Sequence, residues 1–128
     1  MDKPPIVYED FAKVDMRIGR IVAVKPFERA RNPSYKVEVD FGSLGRKWSS
    51  AQITSYSEAE LVGRLVVCVV NMPPRNIAGF LSEVLILGAK NARSEITLLS
   101  PLAETPKYAF RFESLAALVN AHQQALKA

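Results

Sequence analysis

The chain has 128 residues, a net charge of +4, 48% hydrophobic and 23% charged residues, which is the composition of one ordinary globular domain. That length can bury roughly two-thirds of the unfolded surface, so wholesale disorder is excluded. No apolar run approaches the roughly 20 residues of a membrane-spanning helix, and Met1-Asp-Lys-Pro-Pro5 lacks the apolar core of a secretory signal, so a cytoplasmic protein without membrane insertion is expected.

In chain order, Tyr8–Val14 predicts a helical turn with Phe11 and Val14 facing inward. Val14–Val24 alternates through Val14, Met16 and Ile18 and changes phase at Gly19, which predicts a long first strand with a bulge or bend at that glycine. Phe27–Pro33 is a polar connection. Tyr35–Phe41 is an alternating strand, with Tyr35, Val37, Val39 and Phe41 on one face and Lys36, Glu38 and Asp40 on the other. Gly42–Gly45 is a hairpin-sized turn leading into a returning strand, Arg46–Ile53. Ser55–Leu61 predicts a short helix, because Ser57 and Glu60 have capping-box spacing and Gly63 suits its end. Arg64–Asn71 and Glu83–Leu87 read as apolar strands, Ala89–Glu95 as a polar link, and Ile96–Leu99 as a last short strand. Between the two apolar strands, Pro73-Pro74 cannot donate ladder hydrogen bonds and forces the chain out of the sheet along a rigid path.

Five strands with one helix between the third and fourth is the order of an all-β OB-fold barrel. The domain is expected over residues 8–106. Residues 107–128 are expected to form a helical extension, with Ser114 as its cap and Leu115, Leu118, Val119, His122 and Leu126 at helical spacing. An OB-fold presents its second and third strands to ligand, flanked by the loops after strands one and four, here Phe27–Ser34 and Asn71–Leu81.

Catalytic chemistry finds little support. The single histidine lies on the predicted tail helix, and the single cysteine, Cys68, sits in an apolar strand, where a buried inert thiol is expected. Neither metal-ligand spacing nor a phosphate-cradling glycine loop occurs, so no cofactor and no metal are expected. Binding chemistry is better represented. Arg17, Arg20, Lys25, Arg29, Arg31, Lys36, Arg46 and Lys47 crowd the first 47 residues, which permits a nucleic-acid partner. Ser49-Ser-Ala-Gln52 offers hydroxyls and an amide on the strand that should face ligand. The corner adds Arg75 and the Ser82 hydroxyl. Trp48 is either a stacking platform or an anchor in the barrel or a dimer interface.

Phe11-Ala-Lys-Val-Asp-Met-Arg-Ile-Gly-Arg-Ile-Val22, Pro33-Ser-Tyr-Lys-Val-Glu-Val-Asp-Phe-Gly42, Ser49-Ser-Ala-Gln-Ile-Thr54 and Asn71–Gly88 together resemble the tRNA-binding domain family. Within it they are similar to the CsaA branch, across about residues 8–100. The resemblance implies a relative of the C-terminal domains of methionyl-tRNA synthetases. It implies a non-enzymatic, homodimeric, export-related chaperone that binds unfolded or precursor polypeptides. A structure-specific tRNA binder acting in trans is the alternative, and an assembly module docking through the tail helix is a third. It places Ser49, Ser50, Gln52, Asn71, Arg75, Gly79, Ser82 and Glu83 at the ligand rim, with Phe80 and Leu81 as apolar contacts and Lys36 on the same face. Gly79 is expected to allow close backbone approach. The tail departs from the CsaA pattern, whose chains end soon after the last strand.

Overall fold

A computed structural model describes residues 2–105; the predicted tail helix and the domain boundary at 106/107 lie outside the described residues. Two compact units are resolved, one holding residues 2–14 and the other residues 15–105 of the described chain.

In the first unit, Tyr8–Ala12 forms α1, a single helical turn. The turn is where the sequence places it, but Phe11 is exposed and no residue of α1 is buried.

The second unit is a curled β-barrel. Its strands are β1 (Met16–Pro26), β2 (Tyr35–Asp40), β3 (Arg46–Ala51), β4 (Leu65–Val69), β5 (Arg75–Ile77), β6 (Phe80–Ser82), β7 (Leu85–Ile86), β8 (Gly88–Lys90) and β9 (Ile96–Leu98), with α2 (Glu58–Leu61) between β3 and β4. The main sheet runs β3-β2-β1-β4-β7, every neighbouring pair antiparallel. Its outermost edges meet: the Glu83 N–H donates to the Trp48 carbonyl at 2.7 Å, so the lead-in to β7 lies against β3 and nearly closes the barrel. This is the predicted five-stranded OB-fold with its helix between the third and fourth strands.

The core follows the period-2 pattern. Ile21, Val37, Val39, Phe41, Ile53, Leu61, Val66, Cys68, Val84 and Leu98 pack together as one buried cluster. Burial pushes the Cys68 thiol up to about 12, so it stays protonated and inert, as expected.

β1 curls by a different device from the one the sequence suggests. The register against β2 shifts between Ile21 and Ala23, not at Gly19. Gly19 is instead a contact position: a Cβ there would meet the Val39 side chain and come within 2.8 Å of the Phe41 ring. The glycine makes room for the Val39 and Phe41 side chains of the neighbouring chain segment.

Ser57 caps α2 as predicted. Its Oγ accepts from the Glu60 N–H at 3.2 Å, and a Glu60 carboxylate oxygen accepts from the Ser57 N–H at 2.8 Å. That backbone hydrogen bond holds the Glu60 carboxyl below its ordinary range. Gly63 ends the segment at φ +92°.

Two hairpins lie where the sequence reads mostly irregular chain, although β9 of the second is the last short strand expected at Ile96–Leu99. β5 and β6 pair Arg75 with Ser82 and Ile77 with Phe80, around a turn in which Ala78 and Gly79 both have positive φ (50° and 85°). The Asn76 side-chain oxygen accepts from the Gly79 N–H at 2.9 Å and stabilises that turn. β8 and β9 pair across residues 91–95, where the Asn91 side-chain oxygen accepts from the N–H groups of Arg93 (2.8 Å) and Glu95 (3.1 Å).

A candidate polypeptide and nucleic acid interface

The candidate face is the outer side of β1, β2 and β3. Alternation sends Val37 and Val39 into the core and leaves Lys36 and Glu38 outside. Across the strands Lys36 stands opposite Lys25 on one side and Ser50 on the other, while Glu38 stands opposite Trp48. The β5–β6 hairpin folds over this face and brings Phe80 to it. Phe80 meets Phe27 edge-on at 5.3 Å and Trp48 edge-on at 6.2 Å between ring centroids. The Lys36 ammonium lies 5.0 Å from the Phe27 ring centre and 5.1 Å from that of Phe80, and the Lys25 ammonium 5.5 Å from Trp48.

Beside the aromatic cluster, a cleft of about 280 Å³ opens between the proline corner and residues 82–85. Met72, Pro73, Ile77, Val84 and Leu85 give it an apolar lining, and Ser50, Arg75, Ser82 and Glu83 give it polar groups. Met72 and Leu85 are half exposed, and Leu81 is exposed on the same hairpin. Arg75 has no ion-pair partner among the described residues, so its charge is available at the rim.

The other expected site residues divide by how their polar atoms are engaged. Ser49 is 1% exposed, and its hydroxyl donates to the Val84 carbonyl at 2.8 Å. The Ser82 hydroxyl accepts from the Ser50 N–H at 3.0 Å, and a Glu83 carboxylate oxygen accepts from the Trp48 N–H at 2.8 Å. Together these fasten residues 82–84 to β3. Asn71 holds the start of β1, its side-chain oxygen accepting from the Asp15 N–H at 2.9 Å. A Cβ on Gly79 would meet nothing within 4 Å, so glycine answers the turn's positive φ there rather than a close approach. Gln52 stands apart from Arg75: it lines a separate, larger and more polar cleft of about 480 Å³ with Thr54, Ser55, Lys90 and Ser94.

Sequence reasoning passed over Lys25 and Phe27. Lys25 was legible only as one of many basic residues. Its place opposite Lys36 depends on the β1 bulge, which moves the register by one residue. Phe27 is 4% exposed at the head of a loop that reads as polar. Among the described residues no three His, Cys, Asp or Glu side chains gather as metal ligands.

The family model described as "Putative tRNA binding domain" matches residues 16–108. The chain belongs to this tRNA-binding domain family. In three dimensions this family member is similar to the CsaA chaperone protein of Picrophilus torridus (44% identity, TM-score 0.79, covering 84% of this chain and all of that one). It is equally similar to the chaperone CsaA of Bacillus anthracis (43% identity, TM-score 0.79, the same coverage). Among curated sequences it is 35% identical over 102 residues to the methionine–tRNA ligase of Chlorobium chlorochromatii, covering 80% of this chain and 14% of the ligase. The chain thus spans about one-seventh of the length of that ligase.

Proposed function

We propose that this chain is a non-catalytic holding protein that takes unfolded or precursor polypeptides into the cleft between the proline corner and residues 82–85. It acts as a homodimer in export-related traffic, so that one particle presents two clefts to a single unfolded chain. The observation that carries this reading is the lining. Five apolar side chains suit a greasy segment, and Arg75 and Ser50 can meet the carbonyls and amides of a passing backbone. The likeness to the two CsaA chaperones supports it.

Fluorescence anisotropy of a labelled, permanently unfolded polypeptide tests the reading. The double variant Arg75→Ala, Ile77→Ser is expected to bind at least tenfold more weakly than the native chain. Equal binding by both proteins removes the cleft from the account. Light scattering at micromolar concentration checks the dimer, which a monomer mass eliminates.

A second reading, tRNA binding in trans, is favoured by the family match together with the lysines and aromatic rings on β1–β3. It requires affinity that falls steeply with salt.

A further inference from the structure

The polar cleft of about 480 Å³ that Gln52 lines has walls that are fastened and side chains that are not. Tyr56 does the fastening. Its hydroxyl accepts from the Leu98 N–H at 3.1 Å, its carbonyl accepts from the Tyr35 hydroxyl at 2.9 Å, and its N–H donates to the Ile53 carbonyl at 3.1 Å. β2, β9 and the segment after β3 are thereby held together by groups that point away from the cleft. The groups that line it are unspent: the side chains of Gln52, Thr54, Ser55 and Lys90 make no hydrogen bond or ion pair among the described residues. Glu95 lines the same cleft, and its carboxylate accepts one long hydrogen bond, 3.4 Å, from the Asn91 side-chain amide. Lys90 and Glu95 do not pair with each other. Opposite charges held apart in one cleft, with hydroxyls and an amide around them, complement a ligand that carries both signs.

The outer face of β3 leads from this cleft to the apolar one. Ser49 and Ile53 are buried and Ala51 packs on the core, so alternation sends Trp48, Ser50 and Gln52 outward in one row. Ser50 lines the apolar cleft and Gln52 the polar one. Two residues of extended chain, about 7 Å, separate them. A single extended polypeptide can reach both.

We propose that the polar cleft is the second half of a bipartite polypeptide site. It takes a hydrophilic segment that bears an acidic and a basic side chain a few residues apart, continuous with the apolar segment in the first cleft. Lys90 receives the carboxylate, Glu95 the cation, and Gln52, Thr54 and Ser55 the backbone amides between them. The protein then selects junctions between apolar and charged stretches rather than apolar stretches alone. This specificity rests on the proposed polypeptide reading.

Fluorescence anisotropy on the full chain, at physiological ionic strength, tests it with two labelled peptides that share one apolar stretch. One is flanked on both sides by Gly-Ser tracts, the other by Glu-Ser-Lys tracts. The peptides have the same net charge, and the double variant Lys90→Gln, Glu95→Gln keeps the protein at +4, so long-range attraction is equal in every arm. The native chain should bind the Glu-Ser-Lys peptide about three- to fivefold more tightly, the sum of two exposed ion pairs. The double variant should bind both peptides alike, with its affinity for the Gly-Ser peptide within about twofold of native, since both substitutions lie at the surface. Equal affinity of the native chain for the two peptides overturns the second half of the site and leaves the apolar cleft standing, whether or not the variant folds. A preference that survives in the double variant overturns the assignment to Lys90 and Glu95. Binding of neither peptide by the native chain removes the holding function, and the bipartite site falls with it.

Discussion

The Ser49–Ser50 and Ser82–Glu83 segments lie against each other, yet they contain two regions of opposite use. One is a seam. Ser49 donates to Val84, Ser82 accepts from Ser50, and Glu83 both donates to and accepts from the Trp48 backbone. The other is a rim, where Arg75, the Ser50 side chain, Met72 and Leu85 face an open cleft. Residue type does not separate the two, because a serine hydroxyl suited to a ligand amide suits a neighbouring strand's amide equally well. Burial and the edge of β3 separate them: an unpaired strand edge leaves donors and acceptors that must be met, and residues 82–84 meet them.

The contrast can be broken in several places. The largest expected effect lies beneath both regions, in the shared core. The unfolded chain releases the Cys68 proton above its ordinary value of 9.0, whereas the folded chain keeps it to about 12. This contribution to stability is complete below pH 9 and is lost as pH rises from 9 to 12, by about 4 kcal/mol at the upper end. Urea denaturation across that window should show the fall, and Cys68→Ala should flatten it; a variant with an unchanged pH slope refutes the assignment.

At the seam, Glu83→Ala removes a charged acceptor from the Trp48 N–H and should cost about 1.5–3 kcal/mol. Ser49→Ala strands the Val84 carbonyl, and a loss of about 1–3 kcal/mol is expected in the same denaturation assay. If either variant keeps native stability while losing polypeptide binding, that residue belongs to the rim instead. Gly79→Ala, forced to keep a φ of +85°, should lose about 1 kcal/mol. The smallest effect on stability is expected from Arg75→Ala, within about 0.5 kcal/mol, since the side chain is exposed and unpaired among the described residues. Its loss should appear in ligand affinity. A destabilised Arg75→Ala would show that the rim also holds the barrel together.

Alternation from Tyr35 to Phe41 assigned β2 and its buried face, and the Ser57–Glu60 spacing assigned the capping box, because each depends on residues within one turn or one strand. The hairpin at 75–82 had a local signal as well, Asn76 and Gly79, but Ala78 at a positive φ argues against a turn there and the tandem prolines just before it read as a loop. The β8 strand stayed hidden because Gly88-Ala-Lys90 carries no apolar alternation and exists only by pairing with Ile96–Leu98. Of the expected site, Ser50, Arg75, Ser82 and Glu83 converge on one cleft, while Gln52 lines another. A one-dimensional pattern could place Gln52 two residues beyond Ser50 but could not tell which wall it joins.

By itself, then, the amino-acid order determined the strand sequence, the core stripe, the cap of α2 and the residue types available for recognition, since these rest on periodicity and near-neighbour chemistry. Only the tertiary structure decided which serines close the barrel and which stay open to a ligand. It also decided that Lys25 and Lys36 share a row and that Phe27, Trp48 and Phe80 gather beneath them. Those outcomes depend on a bulge in β1 and on a hairpin folding across three strands, contacts between residues far apart in the chain whose register local pattern does not specify.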